Sequence, residues 1–139
     1  MTLFIKMETN KKILEMLKEN SRFTNQYIAK ELGVTEGTIR NRIKQLVEKG
    51  QIKKFTIISS SEASAICMVD TNAKVKTSEI VESIKKIKGV KDIYEVSGPT
   101  TIICKIEGEN LADVNELVER IRSVRGVVDT RTNTILKEN

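Results

Sequence analysis

The feature that most restricts the fold of this 139-residue chain is an internal duplication in its second half. Residues 81–92 (VESIKKIKGVKD) recur as residues 118–129 (VERIRSVRGVVD), with Val, Glu, Ile, Gly, Val and Asp in register. In both copies apolar residues at helical spacing run up to a glycine, Gly89 or Gly126, and an apolar segment follows. Glycine tolerates the positive φ that closes a helix, so each copy reads as a helix leading into a strand. The first helix, from about Ser78, turns Ile80, Val81, Ile84 and Ile87 inward. The second, capped by Asn110, buries Leu111, Val114, Leu117, Val118, Ile121 and Val124.

Strands are expected at 64–71, 90–97, 100–107 and 127–136, and Gly98-Pro99 turns the middle two into a hairpin. The order β-α-β-β-α-β is the ferredoxin-like arrangement, with both helices on one sheet face. The other face should then be polar. Instead Ala65, Cys67 and Val69 alternate with Ile66 and Met68, and Ile102 adjoins Ile103. A sheet apolar on both faces needs a second cover, and the same sheet of another subunit supplies it, so at least a dimer is expected.

The first half carries a different code. Of 24 basic and 19 acidic residues, positions 1–58 hold 12 and 6, an excess of +6, against a net charge of +5 for the whole chain. Such asymmetry points to a polyanion-binding module joined to a neutral one. Ile13, Leu14, Met16 and Leu17 mark an amphipathic helix over 8–18, and Thr24 can cap a short helix over 25–32 that turns Tyr27, Ile28 and Leu32 inward. Gly33 supplies a positive φ for a tight turn. Thr35 then caps a third helix, with Ile39, Ile43, Leu46 and Val47 inward and Gly50 closing it. Three helices, the last two joined by a glycine turn, are the pattern of a helix-turn-helix DNA reader. Thr35, Glu36, Thr38, Arg40, Asn41 and Lys44 face outward, and Arg42 joins them in the DNA-contact set. Arg and Asn pair with guanine and adenine edges, while Lys and Thr suit phosphates. Lys53 and Lys54 lie in the extended segment beyond and add phosphate contacts. The expected domains are 1–50, an extended linker at 51–61, and 62–139.

Other chemistry is thinly represented. The chain has no His and no Trp, which removes His-based acid/base work, His triads and nearly every catalytic zinc site. No metal or cofactor is expected, and no enzyme, because no nucleophile–base pair is visible. Cys67 and Cys104 are too far apart for a CxxC motif but fall on strands that the topology makes neighbours, where a disulfide is conceivable; buried free thiols are the commoner outcome. Lys85, Lys86 and Lys88 interleave with Ile84 and Ile87 as a solvated helix face, and Glu107 and Glu109 have no partner for acid/base chemistry. Residues 1–6 lack the apolar core of a leader, and a run such as Ile66-Cys67-Met68-Val69 is far too short for a membrane span, so a cytoplasmic protein with no membrane partner is expected.

Residues 12–22 (KILEMLKENSR), 28–34 (IAKELGV), the Arg42-Ile-x-x-Leu46 spacing and Gly50-Gln51-Ile52 resemble the Lrp/AsnC, or feast/famine, transcription regulators of bacteria and archaea. The resemblance covers essentially the whole chain, and an archaeal member is expected; high Ile and Lys usage with no His or Trp hints at an AT-rich, thermophilic source. The resemblance implies an α+β chain: a winged-type helix-turn-helix of three helices, then a ferredoxin-like βαββαβ domain that dimerises and senses ligands. A two-fold pair of recognition helices reads a palindrome, and the resemblance further implies dimers assembling to octamers and an amino acid bound between subunits. The family's turn between the second and third strands usually reads Gly-x-Tyr-Asp, whereas this chain has Gly98-Pro99-Thr100-Thr101, without the aromatic or the carboxylate. Gly98, Thr100 and Thr101, with Thr132 and Thr134 on the last strand, are the effector positions that the resemblance marks. Two other readings stay open: an architectural DNA-coating protein of low specificity, and a small-molecule-binding regulatory subunit.

Overall fold

The computed structural model describes residues 3–139, apart from the side chain of Phe4. Met1 and Thr2, which open the stretch read above for a leader, lie outside the described residues. The chain divides into two units, one ending at Ile58 and the other spanning Ser59–Asn139.

The first unit holds three helices, α1 (Leu3–Glu19), α2 (Asn25–Leu32) and α3 (Glu36–Glu48). Their core is Ile13, Ile28, Ala29, Ile39 and Leu46, with Leu14, Leu17, Phe23, Leu32 and Ile43 around it. Helix α1 begins at Leu3 rather than near residue 8. Leu3, Ile5 and Met7 of its added turns are exposed, so no burial pattern announced them. The caps follow the local sequence. Thr24 Oγ1 accepts the Tyr27 N–H at 3.1 Å, and Thr35 Oγ1 accepts the Thr38 N–H at 3.2 Å. Gly33, at φ +66°, closes α2 with the Val34 N–H on the Ala29 carbonyl (3.0 Å) and its own N–H on Lys30 (3.3 Å). This double bond pattern needs a left-handed residue. Tyr27 and Val47, expected inside, are largely exposed at the margins of their helices. Ile52 packs on the helical core, and its N–H bonds the Leu46 carbonyl at 3.0 Å, so the unit continues past Gly50. Residues 53–61 form no strand.

The second unit is β1 (Ala63–Thr71), α4 (Thr77–Lys85), β2 (Val90–Glu95), β3 (Ile102–Gly108), α5 (Leu111–Arg122) and β4 (Val127–Thr134). The sheet order is β2-β3-β1-β4 and every pairing is antiparallel. Ala65, Cys67, Val69, Ile102, Cys104 and Ile106 form one face, closed by Ile80, Val81 and Ile84 from α4 and Val114, Leu117, Val118 and Ile121 from α5. Asn110 caps α5 by accepting the Asp113 N–H at 3.0 Å, and the Asp113 carboxylate returns to the Glu109 N–H at 3.0 Å. Leu111, expected inside, is 61% exposed because it sits beside the cap, ahead of the buried stripe.

The duplication is visible as pseudo-two-fold packing. The repeats are 37 residues apart, and the β1–β3 register pairs equivalent residues at one position only, Cys67 opposite Cys104. The helix-closing glycines obey the same symmetry. A Cβ on Gly89 (φ +104°) would lie 2.7 Å from Leu117 Cδ1 and 3.0 Å from the Glu107 carbonyl oxygen. On Gly126 (φ +97°) it would lie 2.7 Å from Ile80 Cδ1. Leu117 and Ile80 are themselves repeat equivalents, so each repeat's glycine receives the other's helix.

Within the second unit no helix covers the opposite sheet face. Ile66, Met68 and Ile103 are half-buried there and Tyr94 is exposed, and register places Tyr94 beside Ile103 and Arg131 beside Met68. No helix among the described residues is long and apolar enough to cross a membrane.

Gly89→Ala and Gly126→Ala should each lose about 2–4 kcal/mol, from left-handed backbone cost plus overpacking. Gly37→Ala, where a Cβ meets nothing within 4 Å, should gain about 0.5–1 kcal/mol inside its helix. Thermal melting of the three variants decides, and equal melting points for all would remove the interlock.

Candidate nucleic-acid interface

Helix α3 presents one exposed stripe, Gly37, Arg40, Asn41, Lys44 and Glu48, at spacings of three and four residues. Opposite it lie the buried Ile39, Arg42 and Leu46. Arg42, which the sequence reading placed in the DNA-contact set, is only 6% exposed and takes a core-facing position between Ile39 and Leu46, so its place there is corrected. Helical periodicity accounts for this, since positions 39, 42 and 46 are one stripe whatever their chemistry. Its long aliphatic stem lets an arginine fill such a place.

The start of α3 is already hydrogen-bonded within itself. Thr35 and Thr38 share a hydroxyl hydrogen bond of 2.8 Å. The Arg40 guanidinium donates to both Glu36 oxygens, at 2.8 and 2.6 Å. An exposed pair four residues apart is worth only about 0.3–0.5 kcal/mol, so Arg40 can leave it for a better acceptor. Asn41 and Lys44 are exposed beside it. Lys53 and Lys54 are exposed in the extended segment, where they border an apolar groove with Leu14, Leu17, Ile52 and Phe55. Helix α3 thus groups Thr35, Glu36, Thr38, Arg40, Asn41 and Lys44 on its outer side and N-terminal end.

The residues marked for an effector separate into two places. Gly98 lies at φ +128° in the turn after β2, which closes with the Val96 N–H on the Thr101 carbonyl at 3.0 Å. Thr101 donates its N–H to the Val69 carbonyl (3.2 Å), and the buried Thr100 hydroxyl accepts from Arg131 Nη2 at 2.6 Å. Arg131 also reaches the Asp70 carboxylate at 3.4 Å. Thr132 and Thr134 lie instead on the helix-facing side of β4, opposite Cys67 and Ala65. There they border a groove of about 390 Å³ against α5, with Asn115, Val118 and Arg122. Arg122 Nε donates to Thr130 at 2.7 Å and its Nη1 to Glu119 at 2.8 Å.

Sequence reasoning missed Asn115, Arg122 and Arg131. The first two could have been found, because Leu111, Asn115, Val118 and Arg122 follow one helical stripe that a ferredoxin-like topology lays along β4. Arg131 carried no such signal, since its partner Thr100 comes from a turn 31 residues away.

Comparison with known proteins gives these units a family. Residues 8–53 match a family described as winged helix-turn-helix DNA-binding, and residues 64–139 match the Lrp/AsnC ligand binding domain. The chain belongs to the Lrp/AsnC family of helix-turn-helix transcriptional regulators, a family of regulators rather than enzymes. The HTH-type transcriptional regulator LysM of Sulfurisphaera tokodaii is 45% identical over 93 residues, an alignment that spans 66% of each chain and so just under two thirds of that relative. The crystal structure of PH0061 shares the fold with a TM-score of 0.85 at 23% identity, over 94% of this chain and 93% of that one. The transcriptional regulator NMB0573/L-Met complex from Neisseria meningitidis does so with a TM-score of 0.78 at 24% identity, over 94% and 89%.

Arg42→Ala should destabilise the first unit by about 2–4 kcal/mol, as other large buried truncations do. Arg40→Ala should change stability by no more than about 0.5 kcal/mol. Urea denaturation followed by circular dichroism separates them, and equal midpoints would return Arg42 to the surface.

Proposed function

We propose that this protein is a sequence-specific, DNA-binding transcription regulator that reads palindromic operators as a dimer or larger assembly in the cytoplasm, under the control of an amino acid. The observation that carries the reading is the outward stripe of α3. Arg40, Asn41 and Lys44 stand exposed on a capped helix behind a glycine turn. They do so in the part of the chain that holds its whole positive excess. A short helix in one major groove binds weakly, and two-fold pairing makes the site a palindrome with half-sites about one turn, 10–10.5 bp, or a multiple apart.

The uncovered sheet face supports the dimer. Ile66, Met68, Ile103 and Tyr94 form an apolar strip flanked by Lys105 and Arg131, the composition of a subunit interface rather than of a solvated sheet. Ile103→Glu should leave the unit folded, because α4 and α5 pack on the other face, yet convert the protein to monomers in light scattering. Dimers that persist in this variant would move the interface elsewhere.

For the effector, the groove beside β4 offers the Arg122 cation and the Thr132 and Thr134 hydroxyls to a carboxylate. Its lining holds no carboxylate for an ammonium group, so the recognition of that end differs from a Gly-x-Tyr-Asp site. Binding of L-methionine by the Neisseria protein supports the ligand class. No cofactor enters this reading.

Selection of bound duplexes from a random pool at about 0.15 M salt tests the proposal, since nonspecific contacts are weak there. A palindrome should emerge. On it Arg40→Ala should cost about 1–3 kcal/mol at one base position, whereas Lys44→Ala should weaken all sequences and lower the salt slope by about one. Tight binding without an enriched site would make the protein an architectural DNA-coating one. No binding would leave the second unit as the functional half.

A further inference from the structure

We propose that Cys67 and Cys104 form a redox-active dithiol that low-molecular-weight disulfides oxidise to a cross-strand disulfide, with Cys67 as the attacking and Cys104 as the resolving sulfur.

The geometry is that of a bridgeable pair. The two residues are directly opposed on neighbouring antiparallel strands. Opposed residues in such strands have Cα atoms about 4.5 or 5.5 Å apart, and both separations fall within the span of a disulfide. Both thiols are free, and the Cys104 thiol lies 3.7 Å from the Cys67 carbonyl oxygen. Duplication explains why two like residues meet at the pseudo-two-fold axis. It does not explain why their surroundings differ.

That difference is what a working dithiol needs. On one side of the axis the Thr132 hydroxyl donates to Cys67 Sγ at 3.7 Å. On the other, the register partner of Cys104 is Ile93, which offers no donor. Hydrogen bonding from Cys104 lowers the Cys67 thiol against the opposing effect of burial; Thr132 and the Arg122 cation add to the lowering and bring it to about 7. The bond to Cys67, together with burial, pushes Cys104 up. A thiolate is the nucleophile in disulfide exchange, so Cys67 attacks and Cys104 holds its proton until the second step.

The exchange balances in two steps. The Cys67 thiolate attacks one sulfur of the small disulfide, its S–S bond breaks, and the departing thiolate takes up a proton. The Cys104 sulfur then loses its proton to solvent and attacks Cys67 Sγ in the mixed disulfide, releasing the second small thiolate, which is protonated in turn. Two protein thiols are oxidised and one small disulfide is reduced to two thiols. Both cysteines are 0% exposed. Thr132, which bonds Cys67, also lines the groove between α5 and β4, and the proposal takes that groove as the side of entry. Reaching Cys67 requires a local opening of the edge between β4 and α5.

Oxidised glutathione on the full-length native protein is the test, read by intact mass and non-reducing peptide mapping. The wild type should yield a linked Cys67–Cys104 peptide that dithiothreitol reverses. C104S should stop at a glutathione adduct on Cys67. C67S should form an adduct on Cys104 at least about tenfold more slowly, because burial still disfavours a thiolate there and its register partner Ile93 offers no donor to one. C67A and C104A replace these variants if a buried serine hydroxyl unfolds the unit. Equal adduct rates in the two variants would overturn the assignment of roles. Thiols that stay reduced in the native protein, but oxidise once urea unfolds it, would overturn the site. No DNA enters the measurement, so its outcome is independent of the regulatory reading.

Discussion

The second unit depends on one constraint, the reciprocal seating of each repeat's helix on the other repeat's glycine. Leu117 of α5 fills the space that a side chain at Gly89 would occupy, and Ile80 of α4 does the same at Gly126. Each glycine therefore serves two purposes, the left-handed turn out of its helix and the close approach of the opposite helix. Because the seats are exchanged across the β1–β3 pairing, neither repeat can close its core alone. The antiparallel centre of the sheet follows, and with it the single position where equivalent residues face one another. Two cysteines at that position share one hydrophobic core, yet β4 brings a threonine to one and β2 an isoleucine to the other.

The helical unit is organised on shorter range. Its turns are set by Thr24, Gly33, Thr35 and Gly50, all acting within five residues through side-chain caps and left-handed closures. Such elements need little from distant partners beyond a small apolar stripe on each helix. One consequence is that its exposed surface is free to vary without loss of fold. That is where Arg40, Asn41 and Lys44 stand.

This contrast explains what could be read before the structure. The caps, the glycine closures, the βαββαβ order and the neighbouring cysteines were all legible, because each is written in adjacent residues or in the repeat itself. The start of α1 was not, since Leu3, Ile5 and Met7 bury no consistent face. Arg42, counted among the DNA contacts, is instead core-facing, and positions 39, 42 and 46 already shared one helical stripe. Thr100 and Arg131 lay beyond reach, since their 2.6 Å contact joins a turn to the last strand. The effector positions were drawn from two segments, the turn after β2 and the α5 side of β4, and what links them is Arg131, which adjoins Thr132 and donates to Thr100.

If the first unit reads operators as proposed, the pairing of Glu36 with Arg40 bears on how it discriminates. Held at 2.6–2.8 Å, the pair neutralises the cation most suited to a guanine edge. A bidentate guanine contact contributes about 1–3 kcal/mol of discrimination, more than the exposed ion pair it replaces. A phosphate met at random offers attraction but no such geometry, and Glu36 stands beside it as a like charge. On the proposed reading the carboxylate weakens binding to arbitrary sequence more than it weakens binding to a matched site. Under the proposed reading Lys44, which makes no hydrogen bond to Glu36 while Arg40 does and shares its stripe with Glu48 one turn on, is the residue left for sequence-independent attraction. On that proposal, affinity and specificity rest on different residues of one helical face, separated by a single turn.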